Sequence, residues 1–297
     1  MSVKGNLSIN FPIASKPTSG DSWTMSNTGK ISGDMFTEKP LAGQHAMVTG
    51  GSRGIGAAIS NILARLGANI SLTGRTEVAL EEQGNHLKSQ FGVAVHTTVG
   101  DMSQEADVEA CFVGAKEAQG DITILVNNAG IGKSAPFHRM ETEFWNQTIG
   151  LNLTGTYLCT KQVFGNMRDA GYGRIVNVSS TVGLRGYPYI AAYCASKHGV
   201  IGLTRTLALE AVKKGITVNA ICPGYTDTDL VAEAVDSIVG KTGRDRSEIQ
   251  AEIDNMSPMG RMVTPEEVAE TAAWLCLPSS ASITGQAIVI AGGAVMQ

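Results

Sequence analysis

From residue 44 the chain alternates between two kinds of segment. Short apolar runs read as buried parallel strands: "HAMVTG", "ANISLTG", "AVHTTVGD", "ITILVNNAG", "GRIVNVSS", "ITVNAICPG" and "QAIVIAGG". Between them lie stretches with helical spacing, such as "GAAISNILARLG" and "KHGVIGLTRTLALEAVKKG". Strands alternating with helices predict an α/β fold, a doubly wound, mostly parallel seven-stranded sheet in a single domain. "VTPEEVAETAAWLCL" carries a helix start, with Thr264 as N-cap, Pro265 in the first turn and Glu267 closing a capping box. In this architecture ligands bind outside the carboxyl ends of the strands. Functional residues are therefore expected just after each apolar run.

Composition narrows the classes. The 297 residues suit one large α/β domain or two small ones, and no internal repeat or second domain is visible. A net charge of -4 argues against a nucleic-acid surface. The five cysteines, 111, 159, 194, 222 and 276, form no C-x-x-C pair, which fits reduced thiols and a cytoplasmic protein. The five histidines show no metal-ligand spacing, so no metal site is expected. No apolar run reaches the length of a membrane span. Residues 1–40 are rich in Ser, Thr, Gly and Asp without a hydrophobic period. They read as a flexible N-terminal extension, with an arm to a neighbouring subunit as the alternative. The domain then runs over 41–297.

After the first strand comes "TGGSRGIG", with Gly50, Gly54 and Gly56. A strand, a glycine-rich turn and a helix make an anion site, because the backbone can approach a pyrophosphate and the helix N-terminus attracts it. No Gly-Lys-Ser/Thr follows, which excludes a P-loop. The second strand ends "SLTGRT". An Asp or Glu there usually accepts from a free ribose 2′-hydroxyl. This chain has Gly74 and Arg75, with Arg53 in the glycine loop. Two guanidiniums suit a 2′-phosphate. A dinucleotide bearing a 2′-phosphate is preferred over one with a free ribose, and Glu77 is the rival acidic residue. Further on, "YCASK" sets Tyr193 one helical turn before Lys197, on one face. Alone, such a pair is as well explained by a solvated surface.

Taken together, "TGGSRGIG", "NNAG" at 127–130, Asn152, Ser180, "YCASK" and "PGYTDT" at 223–228 stand in order at strand ends. This chain resembles the short-chain dehydrogenases/reductases from about residue 42 to its end. "NLTGTYLCTKQV", "YCASKHGVIGLT" and "GITVNAICPG" are especially similar to 3-oxoacyl reductases and aromatic polyketide ketoreductases. The resemblance implies a Rossmann-type domain, a homotetramer and a nicotinamide cofactor, so that with Arg53 and Arg75 NADP(H) is preferred and NAD(H) is possible. It implies an oxidoreductase interconverting a carbonyl and a secondary alcohol. A 3-oxoacyl thioester on coenzyme A or acyl carrier protein is the first expectation. A cyclic or aromatic alcohol or a polyketide is the alternative, and a non-catalytic dinucleotide sensor the remote one.

The resemblance also assigns roles. Tyr193 would donate a proton to the carbonyl becoming an alcohol. A free phenol has a pKa near ~10, and Lys197 beside it would favour the phenolate. Lys197 would also hold the nicotinamide ribose. Ser180 would hydrogen-bond the substrate oxygen; strand alternation sends Ser179 the other way. Asn152 would hold a water linking Lys197 to solvent. Cofactor contacts are expected from Gly50, Ser52, Arg53, Gly54, Ile55, Gly56, Arg75, Asp101 and Met102. They are expected also from Asn128, Ala129, Gly130, Tyr193, Lys197, Pro223, Gly224, Thr226 and Thr228. Asp101 would lie beside the adenine, although a helix N-cap explains it equally. Asn127 would brace neighbouring strands. Residues 226–260 would form a lid whose apolar side chains, Leu230, Val231, Val235 and Ile238, cover the substrate. Ser180, Val182, Tyr187, Tyr193 and Tyr225 are substrate candidates, with Ile131 and Tyr189. Arg168, Arg174 and Lys214 are cations available to an acidic carrier. Cys194 and Cys222 read as small packed residues, since no histidine partner is apparent.

Overall fold

The computed structural model describes residues 38–296. The expected extension therefore falls, but for its last three residues, outside the described residues. The first half comprises β1 (His45–Thr49), α1 (Gly54–Arg65), β2 (Asn69–Gly74), α2 (Glu77–Phe91), β3 (Val95–Val99), α3 (Glu105–Gln119) and β4 (Ile124–Asn127). The second half runs α4 (Thr142–Ile149), α5 (Gly155–Ala170), β5 (Gly173–Val178), α6 (Ala191–Ala211) and β6 (Ile216–Pro223). It continues through α7 (Asp229–Thr242), α8 (Arg246–Asn255) and α9 (Pro265–Cys276) to β7 (Ala287–Ile290).

The strands form one sheet in the order β3-β2-β1-β4-β5-β6-β7, and every pairing is parallel. Residues alternate between two cores, as the strand period requires. Ala46 and Val48 of β1 pack with α1 and α9 on one face. Met47, Leu125 and Ile175 pack with α3 and α5 on the other. The chain runs outward from β1 to β3, then returns to β4 beside β1. That reversal opens a crevice at the carboxyl ends of β1 and β4.

Local chemistry explains the helix ends that bear on the site. Thr264 caps α9 as expected: its side chain accepts from Glu267 N, and Glu267 accepts from Thr264 N at 2.8 Å. Leu41 is fully buried, and its N–H bonds to Leu66 O at 2.9 Å. Between α4 and α5 the helix widens into a π-type turn over Gly150–Thr154. The expected lid is two helices, α7 and α8, with a small core of their own. Val235 is buried there against Ile249 and Ile253 rather than facing a substrate. Among the described residues, no helix is long and apolar enough to cross a membrane. None of their His, Cys, Asp and Glu side chains group to hold a metal.

Candidate active site

One cleft follows the carboxyl ends of the strands. The turn after β1 forms one wall, with Gly50, Ser52, Arg53, Gly54, Ile55 and Gly56 all lining it. Gly54 begins α1 at φ +52°, a left-handed conformation that glycine adopts without strain. Arg53 is the N-cap, yet its side chain makes no capping hydrogen bond, and the first turn has no acidic residue. The first amides of α1 are thus left to an anion. Asn128 closes the loop from below: its Nδ2 donates to Thr49 O at 3.0 Å and Gly50 O at 2.9 Å. A Cβ on Gly56 would lie 2.2 Å from Gly50 O and 2.5 Å from Asn128 Nδ2. The spacing of the glycines is therefore set by backbone contact. This cradle is what a pyrophosphate needs.

The ends of β2 and β3 supply the outer part of the cleft, with Arg75, Asp101 and Met102. Gly74, Thr76 and Gly100 also line it and were not singled out from the sequence. Asp101 is not a helix cap: Gln104 is the N-cap of α3, and Asp101 Oδ1 accepts from Ser103 N at 2.9 Å. Arg75 is exposed and, among the described residues, has no carboxylate within salt-bridge distance. Arg53 reaches Glu233 Oε1 at 4.0 Å, with both side chains about two-thirds exposed. Such a pair is worth little.

Asn128, Ala129, Gly130 and Ile131, after β4, form the floor. Opposite, Ser180 follows β5, while Tyr193 and Lys197 lie on the first turns of α6, and all three line the cleft. Ser180 Oγ donates to Pro223 O at 3.4 Å and accepts from Val182 N at 3.3 Å. Lys197 is buried and its Nζ donates to Val178 O at 2.7 Å. The Nζ lies 5.7 Å from the centre of the Tyr193 ring. Burial pushes the Tyr193 phenol above its usual value, and a hydrogen bond with Ser180 acts against that. Burial also brings the Lys197 ammonium down to about 8. Burial thus raises the phenol within the protein, against the lowering expected from Lys197.

Asn152 sits in the π-type turn, 1 % exposed, and does not line the cleft. Its Oδ1 accepts from Ile131 N at 2.9 Å; its Nδ2 donates to Ile131 O at 2.9 Å and Ser196 Oγ at 3.1 Å. Ser196 Oγ in turn donates to Tyr193 O at 2.7 Å. Through these bonds the Asn152 side chain braces the floor loop and the Tyr193 turn.

Pro223 at the end of β6, and Gly224, Thr226 and Thr228 after it, complete the cleft with Asp229 and Val231 of α7. Leu151, Val178 and Ser179 line it as well. The apolar identities of Leu151 and Val178 gave no signal in the sequence, and strand alternation was expected to send Ser179 the other way. The remaining substrate candidates lie apart. Val182 is packed at 8 % exposure behind Ser180. Tyr187 gives its phenol oxygen to Arg185 Nε at 2.7 Å. Tyr189 is exposed, with φ 68°, and its carbonyl accepts from Ala135 N at 2.8 Å. Tyr225 is 45 % exposed at the rim. None of these four lines the cleft.

The expected carrier cations divide too. Arg174 is buried and donates to the carbonyls of Gly173 and Gly215, so it cannot greet a carrier. Arg168 pairs with Asp169 at 2.9 Å. Cys222 is fully buried, and burial pushes its thiol up to about 11. Cys194 does have a histidine neighbour: His198 Nδ1 lies 3.6 Å from its Sγ. That nitrogen is also 2.9 Å from Cys194 O, which makes it a donor to the carbonyl and not a base for the thiol.

Known proteins share this arrangement. A short chain dehydrogenase family model matches residues 44–238. An acetoacetyl-CoA reductase of Shinella zoogloeoides is 40% identical over 251 residues, covering 84% of this chain and 97% of its own. A 3-oxoacyl-[acyl-carrier-protein] reductase of Rickettsia bellii is 36% identical over 256 residues, covering 86% and 98%. The crystal structure of an actinorhodin polyketide ketoreductase variant with NADPH superposes with a TM-score of 0.81 at 37% identity, covering 84% of this chain and 97% of that one. With its all-parallel sheet, its glycine cradle and these relatives, the chain belongs to the short-chain dehydrogenase/reductase family.

Proposed function

We propose that this oxidoreductase is an NADP(H)-dependent reductase of 3-oxoacyl thioesters carried on coenzyme A or an acyl carrier protein. The observation that carries the reading is the convergence of Ser180, Tyr193 and Lys197 on the cleft whose other end is the glycine cradle. The activities named for the Shinella and Rickettsia relatives support the substrate class. When bound, the reduced nicotinamide supplies the hydride. The protein supplies position and the proton. Ser180 donates a hydrogen bond to the substrate oxygen as it gains negative charge. Tyr193 transfers its phenolic proton to that oxygen, forming the alcohol. Lys197, held by Val178 O, stabilises the phenolate left behind.

The preference for NADP(H) rests on Arg53 and Arg75, which line the outer cleft. Their guanidiniums suit a 2′-phosphate. Glu77 opens α2 and does not line the cleft, which weakens its claim on a ribose hydroxyl. NAD(H) is then the poorer cofactor. A second reading, reduction of cyclic or aromatic polyketide ketones, is favoured by the actinorhodin ketoreductase likeness. A homo-oligomer belongs to the same proposal, supported by the exposed Tyr157 of α5 and Leu209 of α6.

The test is NADPH oxidation with acetoacetyl-CoA, 3-oxoacyl carrier thioesters and cyclic diketones, for wild type and Tyr193→Phe. Loss of the phenolic proton should lower turnover by roughly 10²–10⁴-fold while NADPH binding survives. Near-normal turnover by Tyr193→Phe would refute the mechanism. Reduction of cyclic diketones alone would select the second reading.

A further inference from the structure

Strand β5 carries Ser180 just past its end, and α6 carries Tyr193 and Lys197. A strand and the helix packed on it share no backbone ladder, so apolar contact alone leaves their relative register loose. Here the seam is pinned by three consecutive residues. Asn177 Nδ2 donates to Thr204 Oγ1 at 2.9 Å. Val178 O accepts from Lys197 Nζ at 2.7 Å. Ser179 Oγ donates to Lys197 O at 3.1 Å. Thr204 lies about two helical turns beyond Lys197, on the same face. Asn177, Ser179 and Thr204 are all 3 % exposed or less.

The seam is braced on both sides. Thr204 Oγ1 gives its proton to Val200 O at 2.8 Å, which leaves its lone pairs for Asn177. Asn177 Oδ1 accepts from Asn127 Nδ2 at 2.8 Å, across the β4–β5 pairing. The rungs therefore continue into the strand that ends in the cleft floor. At Gly183 a Cβ would meet Ser179 Oγ at 2.7 Å and Lys197 O at 2.8 Å, so glycine is what lets the loop approach this seam so closely.

We propose that Asn177, Ser179 and Thr204 are positioning residues that set the separation between Ser180 and the Tyr193–Lys197 pair. The inference rests on the roles proposed above for those three groups. It gives Ser179 a part of its own: its hydroxyl holds the Lys197 turn, one residue before the hydroxyl assigned to substrate.

The experiment compares Ser179→Ala, Thr204→Val and Thr204→Ser. Thr204→Val keeps the shape and leaves the Asn177 amide unpaired; Thr204→Ser keeps the acceptor. Steady-state kinetics use acetoacetyl-CoA and NADPH, or a cyclic diketone if the wild type prefers it. Ser179→Ala and Thr204→Val should each lower kcat by about 10- to 100-fold, the cost of a misplacement near 1 Å. The KM for NADPH should stay within about twofold, because the cradle is untouched, and the pH profile of kcat should move. Thr204→Ser should stay close to wild type. Unchanged kcat and pH profile in Ser179→Ala and Thr204→Val would overturn the inference, as would equal loss in Thr204→Ser and Thr204→Val. If Thr204→Val does not fold, Ser179→Ala and Thr204→Ser decide between these outcomes. Tyr193→Phe is run alongside. Its full activity sinks the proposed mechanism, whereas an inactive Tyr193→Phe beside normal seam variants sinks only the seam. A wild type that reduces neither substrate removes both.

Discussion

The two ends of the cleft are built differently. The cradle end is framed by the backbone of the glycine turn and of the tips of β1, β2, β3 and β4. Its geometry follows from the sheet, because parallel pairing fixes where each strand stops. The catalytic end consists of side chains, those of Ser180 just past β5 and of Tyr193 and Lys197 on α6. Beyond the cleft lining, Tyr187 is taken by Arg185 and Tyr225 stands at the rim. Backbone defines the first end and leaves little room for change. Side chains define the second, and side chains outside the backbone frame are where a shared fold can take different substrates.

The sharpest way to break this contrast is to place one methyl group at each kind of glycine. A Cβ on Gly56 would meet backbone oxygen at 2.2 Å, so the loop must move. Gly56→Ala should raise the KM for NADPH and lower kcat/KM by roughly 10²-fold or more, since ångström-scale misplacement has that effect. Gly165, inside α5, meets nothing within 4 Å. Gly165→Ala should leave kinetics unchanged and stabilise the helix by about 0.5–1 kcal/mol. The checks are cofactor titration and denaturant unfolding of both variants. Normal NADPH binding by Gly56→Ala would mean that the cradle is not set by backbone contact.

This difference also explains what the sequence made legible. The seven strands were readable because buried parallel strands are continuous apolar runs, and the cleft residues at their tips followed by position. Thr264 and Glu267 were readable because a capping box is local. The bracing bonds of Asn152 were not legible, because its partners, Ile131 and Ser196, lie far along the chain and no local pattern points to them. Val235 was misread because an amphipathic helix does not state what its apolar face meets; here it meets α8. Arg174 looked like a surface cation because no residue near it in sequence predicts the carbonyls of Gly215 and Leu277 around it. The phenol of Tyr193 was expected to be lowered by its neighbour one turn away, but burial is a property of the assembled fold and it wins.

A smaller effect is expected at the outer edge of the cradle. Arg75 is exposed, so its contribution comes from a charge-assisted contact and not from packing. Arg75→Asp should lower kcat/KM for NADPH by roughly 10- to 100-fold, the equivalent of a hydrogen bond to a charged group. The value for NADH should change little or improve. Both cofactors are compared at one ionic strength, because exposed charges are screened by salt. A wild type that prefers NADH, or an unchanged ratio in Arg75→Asp, would remove the 2′-phosphate assignment and leave the cradle intact.

The smallest effect is expected at the rim, and it probes where the substrate end stops. Tyr225 lies between Gly224 and Thr226, which line the cleft, and its own ring stands outside it, 45 % exposed. Its carbonyl accepts from Val263 N at 2.9 Å, so the backbone there is anchored and the ring can be removed without collapsing the wall. Fully burying a large apolar side chain contributes ~1.5–3 kcal/mol, and a half-exposed ring should give about half of that to a bound acyl or ring group. Tyr225→Ala should therefore raise the KM for an extended 3-oxoacyl thioester by about three- to tenfold, with less effect on acetoacetyl-CoA. The KM for NADPH should not move, since the ring is not part of the cleft lining. Measuring both KM values across an acyl-length series decides the point. Equal effects on short and long substrates would place Tyr225 outside the substrate path. A change in the NADPH value would show that the two ends of the cleft are coupled, and the contrast between rigid cradle and adjustable rim would fail.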